Sequence, residues 1–422
     1  MVTTESLPTS TPATDRAREE ERIRLAHLAS RRLAESGSAG LLLVDAGFLA
    51  EVERLYGRLA QRTSFKTLCE LTERFLKSYF HPGDIVMQSE AGLDEVLVLF
   101  FRPRSSPRFF IDTLPSLPSA LSEFLTDNRS KLGHSESIEI PRIAIGASLL
   151  LHDPAVQKSR ELRAALDEAR RDAALMAALH ERERRLSVAR IVLGRNLDVV
   201  YQPIVGLESR QLYGYEALVR PPKDGEVDSP ERLFCYAKRF GMLFDLDGVC
   251  RMSALRGIRG RFPADKKLFL NAAPQAIHDA RFREDQLRHT LESCGLAPKN
   301  LVFELSEREC ASNLKRVREA REQLRGLGIE VALDDAGASL SSLASLMDLD
   351  PDYIKVDISL IRSIDTDTGR QHLLRSLQQT AEGIGSAIIA EGIETAEEVA
   401  VLQDIGVRYG QGYLLGLPDA IS

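Results

Sequence analysis

The stretch Ile329-Glu330-Val331-Ala332-Leu333-Asp334-Asp335 is a short apolar run that ends on two adjacent carboxylates. Similar runs recur between helical stretches, at residues 198–204, 212–219, 267–271, 301–305, 329–334, 353–356, 387–391 and 409–415. Eight strands that alternate with helices over about 220 residues are typical of a parallel (β/α)8 barrel. We therefore predict an α/β chain whose C-terminal half is a TIM-like barrel, preceded by a smaller α/β domain.

Polar side chains lie at or near the ends of these runs. The residues are Gln202, Glu216, Asn271, Glu304, Asp334, Asp335, Lys355, Glu391 and Gln411. A single acid at a strand end is more often a helix cap or a loop ion pair. Successive strands that all carry such a residue indicate a shared site, because the C-terminal strand ends of a barrel converge on one mouth where active sites lie.

The oxygen atoms in this set predict a metal site. Carboxylate and amide oxygens are the ligands expected for Mg²⁺ or Mn²⁺ rather than for zinc. Four carboxylates brought together without cations would repel one another and raise one another's pKa. Two ions about 3.5 to 4 Å apart would clamp a phosphodiester and generate hydroxide from water. The pattern therefore predicts two ions and hydrolysis of a phosphodiester.

The ordered motifs of this half look like those of EAL-domain phosphodiesterases. They are Tyr201-Gln202-Pro203-Ile204, Glu216-Ala217-Leu218-Val219-Arg220, Glu304-Leu305-Ser306-Glu307, Asp334-Asp335, Ile354-Lys355-Val356-Asp357, Ala390-Glu391-Gly392-Ile393-Glu394 and Gln411-Gly412-Tyr413. An ordered set over half of the chain is far more specific than the tripeptide Glu-Ala-Leu alone. The resemblance implies that the barrel binds cyclic di-GMP and cleaves it to linear pGpG.

The resemblance also implies a role for each motif residue. One metal ion would be held by four residues: Glu216, Asn271, Glu304 and Asp334. The second would be held by Asp334 and Asp335. Lys355 would help to orient the nucleophilic water, and Glu391 would be the general base or a ligand that tunes this water. The phosphate or guanine groups would contact Gln202, Arg220, Glu394 and Gln411. For Arg220, a solvent-facing charge is an equal alternative.

One loop departs from the family pattern. After the paired aspartates the family usually has Phe-Gly-Thr-Gly-Tyr, whereas this chain has Ala336-Gly337-Ala338-Ser339-Leu340. Ala336 removes a large buried anchor, and Ser339 disfavours a left-handed backbone conformation. By the resemblance, Glu307 would support this loop, which neighbours the second metal and the dimer contact.

Three functions therefore stay open. A phosphodiesterase with a repacked loop is the first, because loops tolerate change. The second is a silent cyclic di-GMP receptor that signals to a protein partner. A structural protein that uses neither metal nor nucleotide is the third, and it is disfavoured because acids gathered in a barrel mouth would repel one another without compensation.

The first half is similar to the GGDEF family of cyclic di-GMP synthases at residues 41–57, 80–86 and 143–146. The signature loop of that family is reduced to Gly92-Leu93-Asp94-Glu95-Val96, without the paired glycines that let a backbone approach a phosphate. The metal-binding aspartates expected before Phe48 fall at Val44 and Ala46. We predict a degenerate regulatory domain that does not synthesise the messenger. An unrelated α/β domain is the alternative.

Composition sets the remaining expectations. We expect a disordered tail at 1–17, the GGDEF-like domain with a linking helix at 18–182, and the EAL-type domain at 183–422. A net charge of −7 argues against DNA binding. Nothing approaches the roughly 20 apolar residues of a membrane span. Five scattered cysteines without CxxC spacing fit a reduced cytoplasm. A homodimer is the default expectation, and a protein partner would act through the first half.

Overall fold

The computed structural model describes residues 27–88, 94–132, 142–195, 197–222, 227–273, 284–306, 314–336 and 349–421. Several predicted features lie outside these ranges: the tail at 1–17, Gly92, Leu93, Glu307 and loop residues 337–340. The chain divides into two compact units, Met1–Glu183 and Arg184–Ser422. Among the described helices, none combines the length and apolar character needed to cross a bilayer.

The N-terminal unit contains a four-stranded antiparallel sheet. Its strands are β1 (Ser38–Asp45), β2 (Ile85–Gln88), β3 (Glu95–Phe101) and β4 (Ile145–Leu151), in the order β2-β3-β1-β4. Its helices are α1 (27–36), α2 (Leu49–Leu76), α3 (Leu114–Asp127) and the start of α4 (Lys158–Gly194), with short π and 3₁₀ turns at Phe109–Thr113 and Arg129–Lys131. The succession of strands and helices is the βαββαβ order of a split βαβ fold.

The central strand β1 shows why this sheet forms. Its run Leu41-Leu42-Leu43-Val44 is buried throughout. Successive side chains point to opposite faces of a strand, and both faces are covered here. Leu41 and Leu43 pack with residues of α1 and α4, whereas Leu42 and Val44 pack with residues of α2 and α3. A continuous apolar run therefore gives a strand that is buried on both faces.

The C-terminal unit is a closed barrel of eight strands in the order β10-β11-β12-β5-β6-β7-β8-β9. The strands are β5 (Asp198–Gly206), β6 (Leu212–Arg220), β7 (Lys267–Asn271), β8 (Leu301–Ser306), β9 (Glu330–Ala336), β10 (Tyr353–Val356), β11 (Ala387–Ala390) and β12 (Tyr409–Gly410). The remaining helices are α5 (Pro230–Arg239), α6 (Leu243–Gly257), α7 (Glu284–Ser293), α8 (Leu314–Gly326), α9 (Ile358–Ile361), α10 (Thr368–Ile384) and α11 (Ala396–Ile405), with a 3₁₀ turn at Pro298–Asn300. The α/β barrel prediction is confirmed at this level.

The prediction that all eight strands run parallel is wrong. Strand β5 is antiparallel to both of its neighbours, β6 and β12. Residues 207–211 join β5 directly to β6, and a connection this short can link only antiparallel strands, since a parallel crossover needs a dozen or more residues. Gln202 therefore lies within β5 and not at a C-terminal strand end.

The predicted last strand, 409–415, is also too long. The observed strand β12 ends at Gly410, and the chain then turns, with the amides of Leu415 and Gly416 donating to Gly412 O at 3.0 Å. At Gly412 a Cβ atom would lie 2.2 Å from the backbone N and O of Ile393. The turn therefore packs directly on the backbone of Ile393, at a position that only glycine fits.

Apolar side chains fill the middle of the barrel. This layer contains Ile204, Phe269, Val302, Ala332, Tyr353 and Ile389. At the N-terminal strand ends, Tyr213 stacks on Tyr409 with ring centroids 4.0 Å apart, and Lys267 Nζ donates to Glu330 Oε2 at 2.6 Å. Since side chains alternate along a strand, the residue two positions after each middle-layer residue of β7–β11 lies at the C-terminal mouth, whereas on the antiparallel β5 this place belongs to Gln202, two positions before Ile204.

Candidate metal centre

The C-terminal mouth of the barrel gathers polar side chains that follow the apolar layer by two positions. They are Asn271 after Phe269, Glu304 after Val302, Asp334 after Ala332, Lys355 after Tyr353 and Glu391 after Ile389. Glu216 on β6 joins them through contacts with Lys355 and Asn271. The period of two along each strand thus turns separate sequence positions into one cluster.

Lys355 lies at the centre of this cluster. Its side chain is 1% exposed. Its Nζ contacts four carboxylates: Glu391 Oε1 at 2.7 Å, Glu304 Oε1 at 2.8 Å, Asp334 Oδ1 at 3.1 Å and Glu216 Oε2 at 3.2 Å. Acids from different strands therefore converge on one ammonium group.

One ammonium group does not neutralise four carboxylates, and the pKa values reflect this. Burial disfavours the charge of Lys355, but the carboxylates, Asp334 foremost, outweigh burial and raise the pKa of Lys355 well above its ordinary value. Burial, followed by the charge of Glu216, raises the pKa of Glu304 well above its ordinary value. Burial also raises the pKa of Glu391 to about 8 against the attraction of Lys355. The cluster therefore favours a further cation or bound protons.

Glu216 is an acid of the cluster whose charged form is favoured by its surroundings. Burial opposes its charge, but Lys355 and a hydrogen bond from Gln411 outweigh burial and lower the pKa of Glu216. Asn271 Nδ2 also donates to Glu216 Oε1 at 3.2 Å. Glu216 is thus held as an oriented carboxylate on the floor of the mouth.

Two glutamines connect Glu216 to the C-terminal segment. Gln411 Nε2 donates to Glu216 Oε2 at 2.7 Å and to Gln202 Oε1 at 2.9 Å. Gln202, which lies opposite Glu216 in the β5–β6 register, donates through Nε2 to Gly416 O at 3.3 Å. Both glutamines are buried. Sequence reasoning expected them to contact a ligand, and the structure shows them orienting an acid of the cluster.

A β-bulge brings Asp334 and Asp335 together. Leu333 pairs with Ile354 and Ala336 pairs with Val356, so that two residues of β9 face one residue of β10. Asp335 has a left-handed φ of 60°, which interrupts the normal alternation of side chains. As a result, carboxylate oxygens of Asp334, Asp335 and Glu391 all lie within 4.8 Å of one another.

The residues of the mouth fit a divalent cation. Every candidate ligand offers oxygen, as Mg²⁺ and Mn²⁺ require. Glu304 Oε2 is buried and has no hydrogen-bond partner among the described residues. A buried carboxylate oxygen without a hydrogen-bond partner is strongly stabilised by a bound cation.

Two residues that were predicted to contact the ligand, Arg220 and Glu394, are not connected to the carboxylate cluster around Lys355 within the described part of the chain. Arg220 ends β6, and its Nη1 donates to Val219 O at 3.0 Å. Glu394 is exposed and pairs with Arg362 Nη2 at 2.7 Å. The hydrogen bonds and ion pairs of the described residues join neither side chain to the carboxylates around Lys355.

One charged pair beside the site was not predicted from the sequence. Asp247 and Arg251 lie one turn apart on α6, and their side chains are 5% and 0% exposed. Asp247 Oδ1 accepts a hydrogen bond from Ala273 N at 3.1 Å, two residues beyond Asn271. The sequence pattern that could have revealed this pair is the spacing of two opposite charges in the otherwise apolar run 246–251. Asp and Arg side chains are rarely buried unless they are paired.

Comparisons with known proteins agree with this geometry. The model of the EAL domain family matches residues 183–418. Cyclic di-GMP phosphodiesterase NbdA of Pseudomonas aeruginosa is 30% identical over 249 residues, which are 58% of this chain and 32% of that protein. Cyclic di-GMP phosphodiesterase PdeB of Shewanella oneidensis is 27% identical over 239 residues, which are 56% of this chain and 28% of that protein. The chain thus spans about a third or less of the length of these two relatives.

Solved structures share the architecture. The EAL enzyme Bd1971, in a form bound to cAMP and cyclic di-GMP, is 27% identical with a TM-score of 0.52, covering 63% of this chain and 74% of that chain. The FimX EAL domain of Xanthomonas citri, in complex with cyclic di-GMP, is 21% identical with a TM-score of 0.52, covering 57% and 95%, and shows the same fold. With a family match over more than half of its length, a closed barrel and this cluster of acids, the chain belongs to the EAL domain family.

Proposed function

We propose that the barrel is a divalent-metal-dependent phosphodiesterase that hydrolyses cyclic di-GMP to linear pGpG. The observation that carries the proposal is the convergence of acids from separate strands on one mouth, around Lys355. The names of NbdA and PdeB as cyclic di-GMP phosphodiesterases support the substrate.

We assign the ligands by their positions at the mouth. One ion would be held by Glu216, Asn271, Glu304 and Asp334, and a second by Asp334 and Asp335. When bound, such ions supply charge neutralisation at the phosphodiester and an activated water. The β9 bulge supports the shared role of Asp334, because it turns both neighbouring aspartates towards Glu391.

The other side chains orient and move protons. Glu391 is the candidate general base, since its partly exposed carboxylate lies beside Asp334 and Asp335 at the open end of the cluster. Lys355 holds Glu391 at 2.7 Å and helps to orient the attacking water. Arg220 is assigned to a phosphate oxygen. We also assign ligand contacts to Gln202, Gln411 and Glu394. When the substrate binds, these side chains would give up their present hydrogen bonds and ion pair and contact the substrate.

A metal-dependent hydrolysis assay tests this proposal. The 422-residue chain with Mn²⁺ or Mg²⁺ should convert cyclic di-GMP to pGpG, as measured by ion-exchange chromatography, and EDTA should stop the reaction. Glu216→Gln should lower turnover by more than about 100-fold, because even residues that only support metal ligands cost about 10–100-fold. Glu397→Gln, on the exposed surface of α11, is the control. Bound cyclic di-GMP without any product would reject hydrolysis.

A silent receptor is the second candidate. It is favoured by Lys355, which already ties the four carboxylates together, and by the altered loop that begins at Ala336. Such a receptor should bind cyclic di-GMP about equally with and without Mn²⁺, and Glu216→Ala should leave the affinity unchanged in calorimetry. Binding that requires the metal would reject this candidate.

We also propose that the N-terminal unit is a degenerate GGDEF-like regulatory domain. The positions of the expected metal-binding aspartates, Val44 and Ala46, are apolar and 0% exposed. Glu95, within the reduced signature loop, is engaged by Arg170 Nε at 2.8 Å. Incubation with GTP and Mg²⁺ should give no cyclic di-GMP, and synthesis would reject the assignment. A cytoplasmic location fits the free thiols of Cys69, Cys250 and Cys294.

A further inference from the structure

Asp247 and Arg251 form a buried ion pair on α6. Their side chains are 5% and 0% exposed, and residues four apart on a helix lie on the same face. Exchange of a buried pair for apolar residues of similar size is often neutral or stabilising. The stability of the fold therefore does not by itself explain this pair.

Asp247 supplies something that an apolar side chain does not: an acceptor for the backbone where β7 ends. Ala272 N donates to Glu304 O at 3.0 Å, which continues the ladder to β8. The next amide, Ala273 N, donates instead to Asp247 Oδ1 at 3.1 Å. Because Ala273 is buried, leaving its amide without an acceptor would destabilise the folded state.

These two bonds hold the backbone on the C-terminal side of Asn271. One comes from β8, the strand that carries Glu304, and the other comes from α6. The side chain of Asn271 is exposed and reaches Glu216 Oε1 at 3.2 Å. Its direction therefore depends on how its backbone is held more than on packing around it.

We infer that Asp247 is a positioning residue for Asn271, and that Arg251 holds the carboxylate of Asp247 in the orientation that accepts from Ala273. The pair acts on metal binding through the backbone of residues 271–273. The inference rests on the proposed metal site, in which Asn271 is a ligand.

Two double variants of the 422-residue chain separate the effect of positioning from the effect of charge. Asp247→Leu with Arg251→Met removes both charges and the acceptor. Asp247→Asn with Arg251→Met removes both charges but keeps an Oδ1 acceptor for Ala273. Neither variant leaves one charge of the pair buried alone, so both should fold; the Leu/Met variant should unfold at a somewhat lower temperature than the Asn/Met variant, because it leaves the buried Ala273 amide without its acceptor.

The readouts are Mn²⁺ affinity by calorimetry and exchange of the Ala273 amide in metal-free protein. The Leu/Met variant should bind Mn²⁺ about 10–100-fold more weakly and exchange this amide faster. The Asn/Met variant should stay close to the wild type in both respects. Unchanged affinity in the Leu/Met variant, or equal losses in both variants, would overturn the positioning role.

Ala273→Pro gives an independent measurement if the Leu/Met variant does not fold. It deletes the same donor while leaving the ion pair intact, and it should also weaken Mn²⁺ binding; unchanged affinity would again overturn the inference. A wild-type chain that binds no Mn²⁺ would overturn the proposed metal site as well. Wild-type binding with unchanged variants would overturn only the positioning role.

Discussion

Lys355 holds the acids of the barrel mouth together by charge. Its ammonium group lies within 3.2 Å of carboxylate oxygens from four residues, at a position that is almost completely withdrawn from water. Removal of one partner from a buried ion pair leaves uncompensated charge and is strongly destabilising. The stability of the metal-free barrel should therefore depend on this one side chain.

Lys355→Met should destabilise the metal-free protein by about 3–5 kcal/mol. Divalent ions should restore part of this loss, because they neutralise the same carboxylates. Thermal unfolding in EDTA and in excess Mn²⁺ measures both effects.

Lys267→Met is the matched control for this experiment. Lys267 pairs with Glu330 at the opposite end of the barrel, so its replacement should cost the same stability with and without Mn²⁺. A Lys355→Met protein whose unfolding temperature does not respond to Mn²⁺ would contradict the expectation.

At the scale of elements, short turns and caps set the positions of the strand ends. The turn after β12 brings Gly412 against the backbone of Ile393, and it follows directly on Gln411, which orients Glu216. Through Glu398, the cap of α11 joins the loop after β11 to Ser363, which follows α9. Local backbone geometry is thereby connected to the carboxylates at the mouth.

Gly412→Ala should destabilise the protein by about 1–3 kcal/mol and weaken cyclic di-GMP hydrolysis. The added Cβ would meet backbone atoms that cannot rotate away, so the turn must shift and move Gln411. Gly383→Ala in α10 is the control, since nothing lies within 4 Å of its Cβ, and it should stabilise by about 0.5–1 kcal/mol. Chemical denaturation and a turnover assay measure both variants. Wild-type stability in Gly412→Ala would contradict the close contact.

Glu398→Gln should reveal an acid-dependent contribution to stability. Burial opposes the charge of Glu398, but the amides of Glu394, Ser363 and Thr395 outweigh burial and lower its pKa. A lowered pKa means that the stabilisation is complete above the ordinary pKa of Glu, about 4.3, and disappears as the pH falls through the folded value.

The variant should therefore be less stable than the wild type by about 1–3 kcal/mol at pH 7, and the difference should shrink below about pH 4. Urea denaturation at both pH values measures it. Glu397→Gln, an exposed neighbour, should show no such dependence. A constant difference at all pH values would contradict the role of the Glu398 charge.

At the scale of the whole molecule, the chain contains two units with separate cores. One set of core residues belongs to the sheet unit, and another belongs to the barrel unit. The candidate ligands all lie in the barrel unit. Ligand binding should therefore stabilise the two units unequally.

Differential scanning calorimetry should resolve this difference. A ligand at 100 times its Kd stabilises the state that binds it by about 2.7 kcal/mol, so saturating Mn²⁺ should raise the unfolding temperature of the barrel transition and leave the other transition unchanged. Glu216→Ala should remove the shift. A shift confined to the sheet unit would contradict the location of the metal site.

Much of the barrel could be predicted because its signals are local. Apolar runs with polar ends recur along the chain, and the side-chain period of two converts each run into a wall of the barrel. The antiparallel direction of β5 relative to β6 could also have been predicted, since residues 207–211 are too few for a crossover between parallel strands. The turn at Gly412 that follows β12 could not be predicted. It packs against the backbone of Ile393, a residue that is distant along the chain and meets Gly412 only in the folded structure.

The sequence by itself determined the apolar runs and the polar residues at or near their ends, and hence which acids gather at the mouth, because the C-terminal strand ends of a barrel converge whatever the loops do. Only the tertiary structure decided how these acids are arranged. The central place of Lys355, the bulge that turns Asp334 and Asp335 together, and the contact of Asp247 with Ala273 all join atoms from separate elements. Their energies depend on distance and burial, which no spacing along the chain encodes.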